Sequence, residues 1–210
     1  MNKTIFLCAV SLACVATVCA APAKGKVAAR RPAAQRSAAF PETAFRRTPY
    51  VGAIAVDAQT GEVLFERHAD AVARPASVTK LMTLLLCLED MHAFKYDPTT
   101  RVTASVRCCQ ERPSSVGLKP GQSMTVDDLL MSIMVRSAND AAVLLAEHST
   151  AANAGRAIEP GDLQAFVLRM NNKARELGMA HTHYATPNGY PPKPGSGRPF
   201  DTSTCRDLVK

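Results

Sequence analysis

The sequence predicts a mixed α/β (α+β) domain, and three stretches carry that prediction. Residues 50–66 hold two short strand-like runs around the turn Asp57-Ala-Gln-Thr-Gly61, which is typical of a hairpin. Residues 78–88 lack Gly and Pro and are apolar on nearly every side of a helical wheel, so we expect a buried helix. Residues 162–177 keep one apolar face before Gly178, which indicates an amphipathic helix.

The remaining elements follow from turn and capping signals. A chain of 210 residues, 47% of them hydrophobic, is long enough for one domain with a substantial core. Further elements are predicted as a strand over 100–106, a helix over 129–135 opened by the capping box Thr125-Val-Asp-Asp128, a third helix from Ala141, a Pro/Gly-rich loop over 187–199 and the start of a last helix over 202–210.

The first twenty residues have the pattern of a secretory signal peptide. Lys3 precedes an apolar run over residues 5–18, and Val18-Cys19-Ala20 offers small residues for cleavage. A lipoprotein signal is the alternative, although Val18 before Cys19 fits a lipobox poorly. No later stretch is long and apolar enough to cross a membrane. We therefore expect a protein secreted across the inner membrane into the periplasm or cell envelope.

Residues 21–49 are rich in Ala, Pro and Arg and nearly empty of large apolar side chains. Such a composition predicts a disordered tether, and its basic residues hold much of the formal net charge of +7. Outside the cytoplasm, a basic tether suggests an anionic envelope polymer or lipid surface as partner, and not nucleic acid. A merely soluble linker is an equal alternative. The predicted organisation is thus 1–20 signal, 21–49 tether and 50–210 folded domain.

Cysteine and histidine spacing does not indicate a metal site. Four cysteines remain after the predicted cleavage, and they have neither CxxC nor Cys/His ligand spacing: Cys87, Cys108, Cys109 and Cys205. A disulfide from Cys108 or Cys109 to Cys205 is left open, while Cys87 is expected to be a core residue. His181 and His183 have no acidic neighbour and are interpreted as strand or loop residues. We predict no metal and no cofactor.

A serine and a lysine stand at the entrance of the predicted buried helix. Ser77 and Lys80 are three residues apart, so their side chains would lie on one helix face within hydrogen-bonding reach. A serine needs a base to become a nucleophile, and burial together with the helix dipole lowers the pKa of a lysine at this position. The chemical interpretation is Ser77 as nucleophile and Lys80 as its base. A capping serine beside a surface lysine is the competing interpretation of S-x-x-K alone.

A second short motif, Ser137-Ala-Asn139, falls in the break between two predicted helices. Such a loop directs a hydroxyl and an amide into a cleft from a rigid base. Following the signal-like segment, Ser77-x-x-Lys80 and then Ser137-x-Asn139 resemble the penicillin-recognising serine enzymes. The competing interpretation is that Ser137 and Asn139 only cap the following helix.

Longer segments narrow the resemblance to the low-molecular-mass D-alanyl-D-alanine carboxypeptidases, serine penicillin-binding proteins of peptidase family S11. The segments run from about Tyr50 to the last residue: Asp57-x-x-Thr-Gly-x-Val-Leu-Phe65, Arg74-Pro-Ala-Ser-Val-Thr-Lys-Leu-Met-Thr83, Gly117-Leu-Lys-Pro-Gly-Gln-Ser-Met-Thr-Val-Asp-Asp-Leu-Leu130, Ser137-Ala-Asn-Asp-Ala-Ala142, Phe166-Val-x-x-Met-Asn171, Glu176-Leu-Gly-Met-x-x-Thr182 and Pro187-Asn-Gly189. The resemblance implies a β-lactamase/transpeptidase-like fold, a sheet flanked by helices plus an all-helical part.

The resemblance also implies roles for these residues. Ser77 would attack the carbonyl of the penultimate D-Ala of a peptidoglycan stem peptide and form an acyl-enzyme, with Lys80 as its base. The backbone N–H of Ser77 would be an oxyanion donor. Ser137 would relay the proton to the leaving D-Ala, and Asn139 would bind the substrate's peptide amide. Penicillins and other β-lactam antibiotics would act as inhibitors.

One family motif is not found in the sequence. The third motif, Lys-Thr-Gly or Lys-Ser-Gly on a sheet-edge strand, occurs in neither form; Lys119-Pro-Gly121 and Lys193-Pro-Gly195 place Pro at its centre. We expect a C-terminally incomplete chain whose sheet keeps only its first hairpin. The alternative function is therefore a catalytically impaired or truncated penicillin-binding pseudoenzyme that binds stem peptides or a partner chain. Endopeptidase action on cross-links stays open, whereas the lack of Glu-x-x-x-Asn disfavours a class A β-lactamase.

Overall fold

The computed structural model describes residues 5–9 and 50–210, and the chain divides into two compact units. The sheet unit ends its first segment at Arg74 and also contains Gly178–His181 and Thr202–Lys210. The helical unit consists of Pro75–Leu177 and Thr182–Asp201. The predicted tether over 21–49 lies outside the described residues, as does most of the predicted signal peptide. Both stay predictions.

The sheet unit contains an antiparallel sheet in the order β1-β2-β3, formed by β1 (Ile5–Ala9), β2 (Ala53–Asp57) and β3 (Val63–Arg67). The predicted hairpin is confirmed as β2 and β3. The expectation of a sheet reduced to this hairpin is wrong, because β1 pairs along the other edge of β2.

A small hydrophobic core joins the sheet to the last segment of the sheet unit, Thr202–Lys210. Ile54 and Val56 of β2 pack with Ala69 and with Cys205, the first residue of helix α5 (Cys205–Leu208). Thr204 caps this helix by accepting a hydrogen bond from the backbone N–H of Asp207. The predicted terminal helix is therefore present as a single short turn.

The helical unit is built around one central helix. Its helices are α1 (Lys80–His92), α2 (Val126–Arg136), α3 (Asn139–Asn153) and α4 (Asp162–Glu176). Helix α3 is buried over most of its length and packs against the other three. Two short strands, β4 (Arg101–Thr103) and β5 (Ser123–Thr125), pair antiparallel, and two 3-10 turns cover Ala76–Thr79 and Cys108–Gln110.

The predicted long helices are present, but their first and last residues differ from the predicted ones. The helix expected over 78–88 begins at Lys80, with Ser77 in the preceding 3-10 turn, and it extends to His92. Leu81 and Leu88 are exposed, so burial on every side is wrong for one face of α1. The capping box is confirmed, since the Thr125 hydroxyl accepts a hydrogen bond of 3.1 Å from the Asp128 N–H.

Three further outcomes concern cysteines, metals and membranes. Cys87, Cys108, Cys109 and Cys205 are free thiols, so a disulfide from Cys108 or Cys109 to Cys205 is not formed. Residues 5–9 and 50–210 contain no group of three His, Cys, Asp or Glu side chains arranged to hold a metal ion. Within the same residues, no helix has the length and apolarity needed to span a bilayer.

Candidate active site

The Ser77 hydroxyl and the Lys80 amine are in hydrogen-bonding contact. The Lys80 Nζ lies 3.0 Å from the Ser77 Oγ, the pairing predicted from their spacing. The two side chains have opposite surroundings, because Ser77 is exposed whereas Lys80 is only 3% exposed at the first position of α1. A reactant from solvent can therefore reach the hydroxyl while the amine stays buried.

The backbone just before Ser77 is strained. Ala76 has a φ of 48°, in the left-handed region that a residue with a Cβ rarely adopts. Such conformations cost about 1–3 kcal/mol and persist where the surrounding structure holds them. This turn presents Ser77 at the entrance of α1, which neither helix periodicity nor the S-x-x-K spacing predicts.

Lys80 is a buried cation with neutral hydrogen-bond partners. Besides Ser77, its Nζ donates to the main-chain oxygen of Asn188 at 2.8 Å. Within the described residues it forms no salt bridge. Burial lowers the pKa of Lys80 to about 8, opposed by the attraction of the Asp201 carboxylate. About a tenth of the amine is therefore unprotonated at pH 7, far more than for an exposed lysine, and this is the form that a general base needs.

The segment 186–190 packs directly onto the serine turn. A Cβ at Gly189 would lie 1.8 Å from the Ala76 carbonyl oxygen, so only glycine fits, and its φ of 73° requires the same residue. Thr83 of α1 donates to the Pro187 carbonyl at 2.6 Å. The Thr186 hydroxyl accepts a hydrogen bond from the Gly189 N–H at 2.8 Å. The carbonyl that contacts Lys80 therefore belongs to a firmly held segment.

Ser137 and Asn139 lie at the junction of α2 and α3. Ser137 ends α2 with a left-handed φ of 53°, and Asn139 begins α3. Asn139 is bound to the segment before α2: its side-chain Nδ2 donates to the Pro113 carbonyl at 2.7 Å, and its N–H donates to the Ser114 carbonyl at 2.8 Å. The break predicted between the two helices is therefore a rigid corner.

The structure brings only part of the predicted site into direct contact. Ser77 and Lys80 are hydrogen-bonded to each other. Among the described residues, neither Ser137 nor Asn139 makes a side-chain hydrogen bond to that pair. All four lie in the helical unit. The relay role of Ser137 and the substrate-binding role of Asn139 stay predictions.

Sequence reasoning assigned no role to three polar residues that shape this region. The Asp140 carboxylate accepts the backbone N–H groups of Val116, Gly117 and Leu118 at 3.0–3.1 Å, which fixes that loop to the start of α3. Asp201 accepts from the Thr186 N–H and hydroxyl. Glu111 contacts Asn188. Asp140 lies inside a segment that carries the family resemblance, so the sequence offered a signal for it, whereas Glu111 and Asp201 lie outside all of these segments.

A cavity of about 460 Å³ lies beside Asn188 in the helical unit. Its wall combines α4, the 183–199 segment and the residues after β4, and it includes Leu163, Val167, Asn171, Tyr184, Tyr190 and Arg198. The mixture of apolar walls with a few polar groups is common in sites for small organic ligands. Glu111 and Asn188 form part of the wall nearest to the Lys80 contact.

An exposed serine is hydrogen-bonded to a buried lysine in the helical unit, and the chain also contains a sheet unit. This combination is typical of the penicillin-binding, transpeptidase-like class of proteins. The chain belongs to the D-alanyl-D-alanine carboxypeptidase family, peptidase family S11, whose family model matches residues 49–210. It is 34% identical over 137 residues to the D-alanyl-D-alanine carboxypeptidase DacF of Bacillus subtilis. That match covers 65% of this chain and 33% of DacF, so the chain spans about a third of the length of this relative.

Solved structures give the same fold. The D-alanyl-D-alanine carboxypeptidase DacD of Francisella tularensis matches with a TM-score of 0.67 and 25% identity, over 89% of this chain and 38% of DacD. Penicillin-binding protein D2 of Listeria monocytogenes, solved in its ampicillin-bound form, matches with a TM-score of 0.60 and 27% identity. That match covers 75% of this chain and 58% of the Listeria protein. The predicted family and fold class are confirmed.

Proposed function

We propose that the protein is a secreted serine-type D-Ala-D-Ala carboxypeptidase that acts on peptidoglycan stem peptides through an acyl-enzyme on Ser77. One observation carries the proposal: the exposed Ser77 hydroxyl lies 3.0 Å from a buried Lys80 amine whose partners are neutral. The family membership of residues 49–210 supplies the substrate class. The site of action is the periplasm or cell envelope, which is also where the predicted signal peptide would direct the chain.

In the first half of the reaction, the neutral Lys80 amine takes the proton of Ser77 as its Oγ attacks the carbonyl carbon of the penultimate D-Ala. The backbone N–H of Ser77 donates to the oxyanion that forms, a contribution of about 3–4 kcal/mol for one such donor. The C–N bond to the terminal D-Ala then breaks, and its amine takes a proton relayed by Ser137. Asn139 binds the substrate's peptide amide.

In the second half, water attacks the Ser77 ester while Lys80 again accepts a proton. The C–O bond to Ser77 breaks and the serine hydroxyl is restored, so one water is consumed for each D-Ala released. No step uses a metal or a cofactor. A lowered lysine pKa serves both halves, because the same amine must be unprotonated before each attack.

β-Lactam antibiotics are the proposed inhibitors, since the Listeria relative was solved with ampicillin bound. A penicillin would acylate Ser77 when the serine Oγ attacks the carbonyl of the β-lactam ring. The ring C–N bond breaks, and the nitrogen stays attached to the adduct as part of the opened ring. Acylation therefore reports on the nucleophile and its base without requiring turnover of a peptide.

The test is acylation of the purified chain by a fluorescent penicillin, measured by gel fluorescence and intact mass. We expect one adduct in the wild type, none in Ser77→Ala, and an unchanged adduct in Ser196→Ala, which alters an exposed serine of the 187–199 loop. Release of D-Ala from a D-Ala-D-Ala peptide is then measured. A folded wild-type chain that forms no adduct would contradict the proposed enzyme and favour the pseudoenzyme alternative.

A further inference from the structure

The carboxylate of Glu111 contacts Asn188, the residue whose main-chain oxygen is hydrogen-bonded to Lys80. Glu111 follows the 3-10 turn Cys108–Gln110, and its Oε2 accepts a hydrogen bond from the Asn188 Nδ2 at 3.2 Å. The main-chain oxygen of the same Asn188 accepts the hydrogen bond from Lys80 at 2.8 Å. Two successive hydrogen bonds therefore connect Glu111 to the lysine amine.

We propose that Glu111 is a positioning residue for Lys80, acting through Asn188. The inference rests on the proposed function, because it assigns to Glu111 the task of holding the amine that serves Ser77. Glu111 does not touch Ser77, and no role follows for it from the motifs that identify the family. Its effect would be to fix the orientation of the Asn188 carbonyl, and hence of the Lys80 amine.

Asn188 can adopt only one side-chain orientation in these contacts. Its Oδ1 accepts the Tyr190 N–H at 2.9 Å, which leaves the Nδ2 group to donate to Glu111. Asn188 is only 3% exposed, so water does not offer an equivalent acceptor. Without Glu111, the Nδ2 group would be left buried and unpaired, and the 186–190 segment would lose one of its anchors.

Glu111 is itself well placed to hold that group. Its side chain is 18% exposed, and its second oxygen, Oε1, lies 3.6 Å from the Arg107 Nε. The backbone N–H of Glu111 donates to the Cys108 carbonyl at 3.1 Å. A few residues further on, the Pro113 and Ser114 carbonyls bind Asn139. The same short segment therefore supports both the Lys80 contact and Asn139.

The orientation of the Asn188 carbonyl matters because a neutral amine has one lone pair and two N–H donors. To accept the Ser77 proton, Lys80 must direct its lone pair at the Ser77 Oγ, and donating to Asn188 favours that rotation. The carbonyl also interacts more strongly with an ammonium than with an amine. Loss of the contact should reduce the fraction of neutral Lys80 whose lone pair is directed at Ser77, and it should also move the Lys80 titration to lower pH. Acylation rates are therefore compared above the wild-type midpoint, where the amine is neutral in every variant. Asp201 is the charged group that acts on Lys80 directly.

The experiment compares Glu111→Ala, Glu111→Gln and the control Glu176→Ala, which removes an exposed carboxylate of α4 paired with Lys173. Two quantities are measured on each full chain: the penicillin acylation rate, and the titration of Lys80 by NMR of ¹³C-labelled lysine, with its signal assigned from Lys80→Met. We expect acylation to fall about tenfold in Glu111→Ala. Glu111→Gln, which keeps an oxygen acceptor, should retain most of the rate, and Glu176→Ala should match wild type.

Asn188→Leu breaks the same link from the other side, because it removes the Nδ2 donor opposite Glu111 without adding a charge beside Lys80. It should slow acylation and move the Lys80 titration to lower pH, as Glu111→Ala does. An unchanged Lys80 titration and acylation rate in both folded variants would overturn the inference. If the wild type forms no penicillin adduct, the proposed function fails, and the Lys80 titration in Glu111→Ala still decides whether Glu111 positions the amine.

Discussion

Helix α1 carries a buried charged group near each end, and their surroundings differ. Asp90, 5% exposed, faces Arg169, whose Nη2 lies 2.7 Å from the Asp90 Oδ1. Ser149 donates to the other carboxylate oxygen and also accepts a hydrogen bond of 2.8 Å from Arg169. Lys80, 3% exposed, has a hydroxyl and a main-chain carbonyl as its partners.

Under the proposed function, this difference separates a charge that only stabilises the fold from one that takes part in the reaction. A buried charge that is paired and hydrogen-bonded stays ionised, and removing its partner is expensive. A buried lysine with neutral partners loses part of its preference for the ammonium form, which is what a catalytic base needs. One helix therefore combines both kinds of buried charge, and its two ends should respond oppositely to substitution.

The largest effect is expected from Lys80→Met, which keeps the length of the side chain and removes the amine. Acylation of Ser77 by penicillin should fall by about 10²–10⁴-fold, the usual contribution of a general base. The free energy of unfolding at neutral pH should not fall, because burial of the ammonium costs up to about 3 kcal/mol for a pKa lowered from 10.5 to about 8. Both are measured, by gel fluorescence and by urea denaturation.

The control for Lys80→Met is Lys95→Met, an exposed lysine beyond the end of α1. It should leave both the acylation rate and the free energy of unfolding at their wild-type values. Rapid acylation in a folded Lys80→Met chain would show that another group takes the Ser77 proton, and the assignment of the base would be wrong.

Arg169→Met should have the opposite profile. It leaves the Asp90 carboxylate buried without its cation, at a cost of about 3–5 kcal/mol in the free energy of unfolding. In chains that remain folded, acylation of Ser77 should be close to wild type, because Arg169 makes no contact with the serine and lysine pair in the described structure. Urea denaturation and penicillin acylation measure the two quantities.

A double variant, Asp90→Asn with Arg169→Met, sharpens this second result. It removes both charges, so it should recover part of the stability lost in Arg169→Met alone. Strictly additive losses would mean that the two side chains do not interact as the 2.7 Å contact implies.

The sequence was sufficient to predict the contact between Ser77 and Lys80, because the two residues lie within one helical turn. Local spacing determines such a pair, just as it determines the Thr125 cap of α2. The predicted hairpin, the four long helices and the family were likewise confirmed, since each depends on a contiguous pattern.

Contacts between segments far apart in the sequence could not be predicted from local spacing and periodicity. Asn188 lies 108 residues after Lys80, and no local pattern indicates that its main-chain oxygen reaches the amine. The Asn188 contact with Glu111 and the strain at Ala76 depend on how the 186–190 segment packs against the serine turn. The β1 pairing was missed because its residues were interpreted as part of a targeting segment, on the basis of Lys3, the apolar run over 5–18 and the small residues at Val18-Cys19-Ala20.

The pH dependence of acylation tests the proposed role of Lys80 without any substitution. Only the neutral amine of Lys80 accepts the Ser77 proton, so the acylation rate should rise about tenfold per pH unit below the Lys80 pKa of about 8 and level off above it. The folded pKa lies below the unfolded value of 10.5, so between about pH 8 and 10.5 the unfolded chain binds more protons. The contribution of Lys80 to stability therefore rises with pH across that window.

The variant Asp201→Asn tests whether the pH profile of acylation reports the titration of Lys80. The Asp201 carboxylate raises the Lys80 pKa against the effect of burial, so its removal should move the midpoint of the acylation profile to lower pH. An asparagine keeps an oxygen for the Ala185 and Thr186 N–H groups and removes only the acceptor of the Thr186 hydroxyl, so the segment before Asn188 should stay in place. A midpoint that moves upward, or a rate that falls as pH rises through 8, would assign the profile to a group other than Lys80.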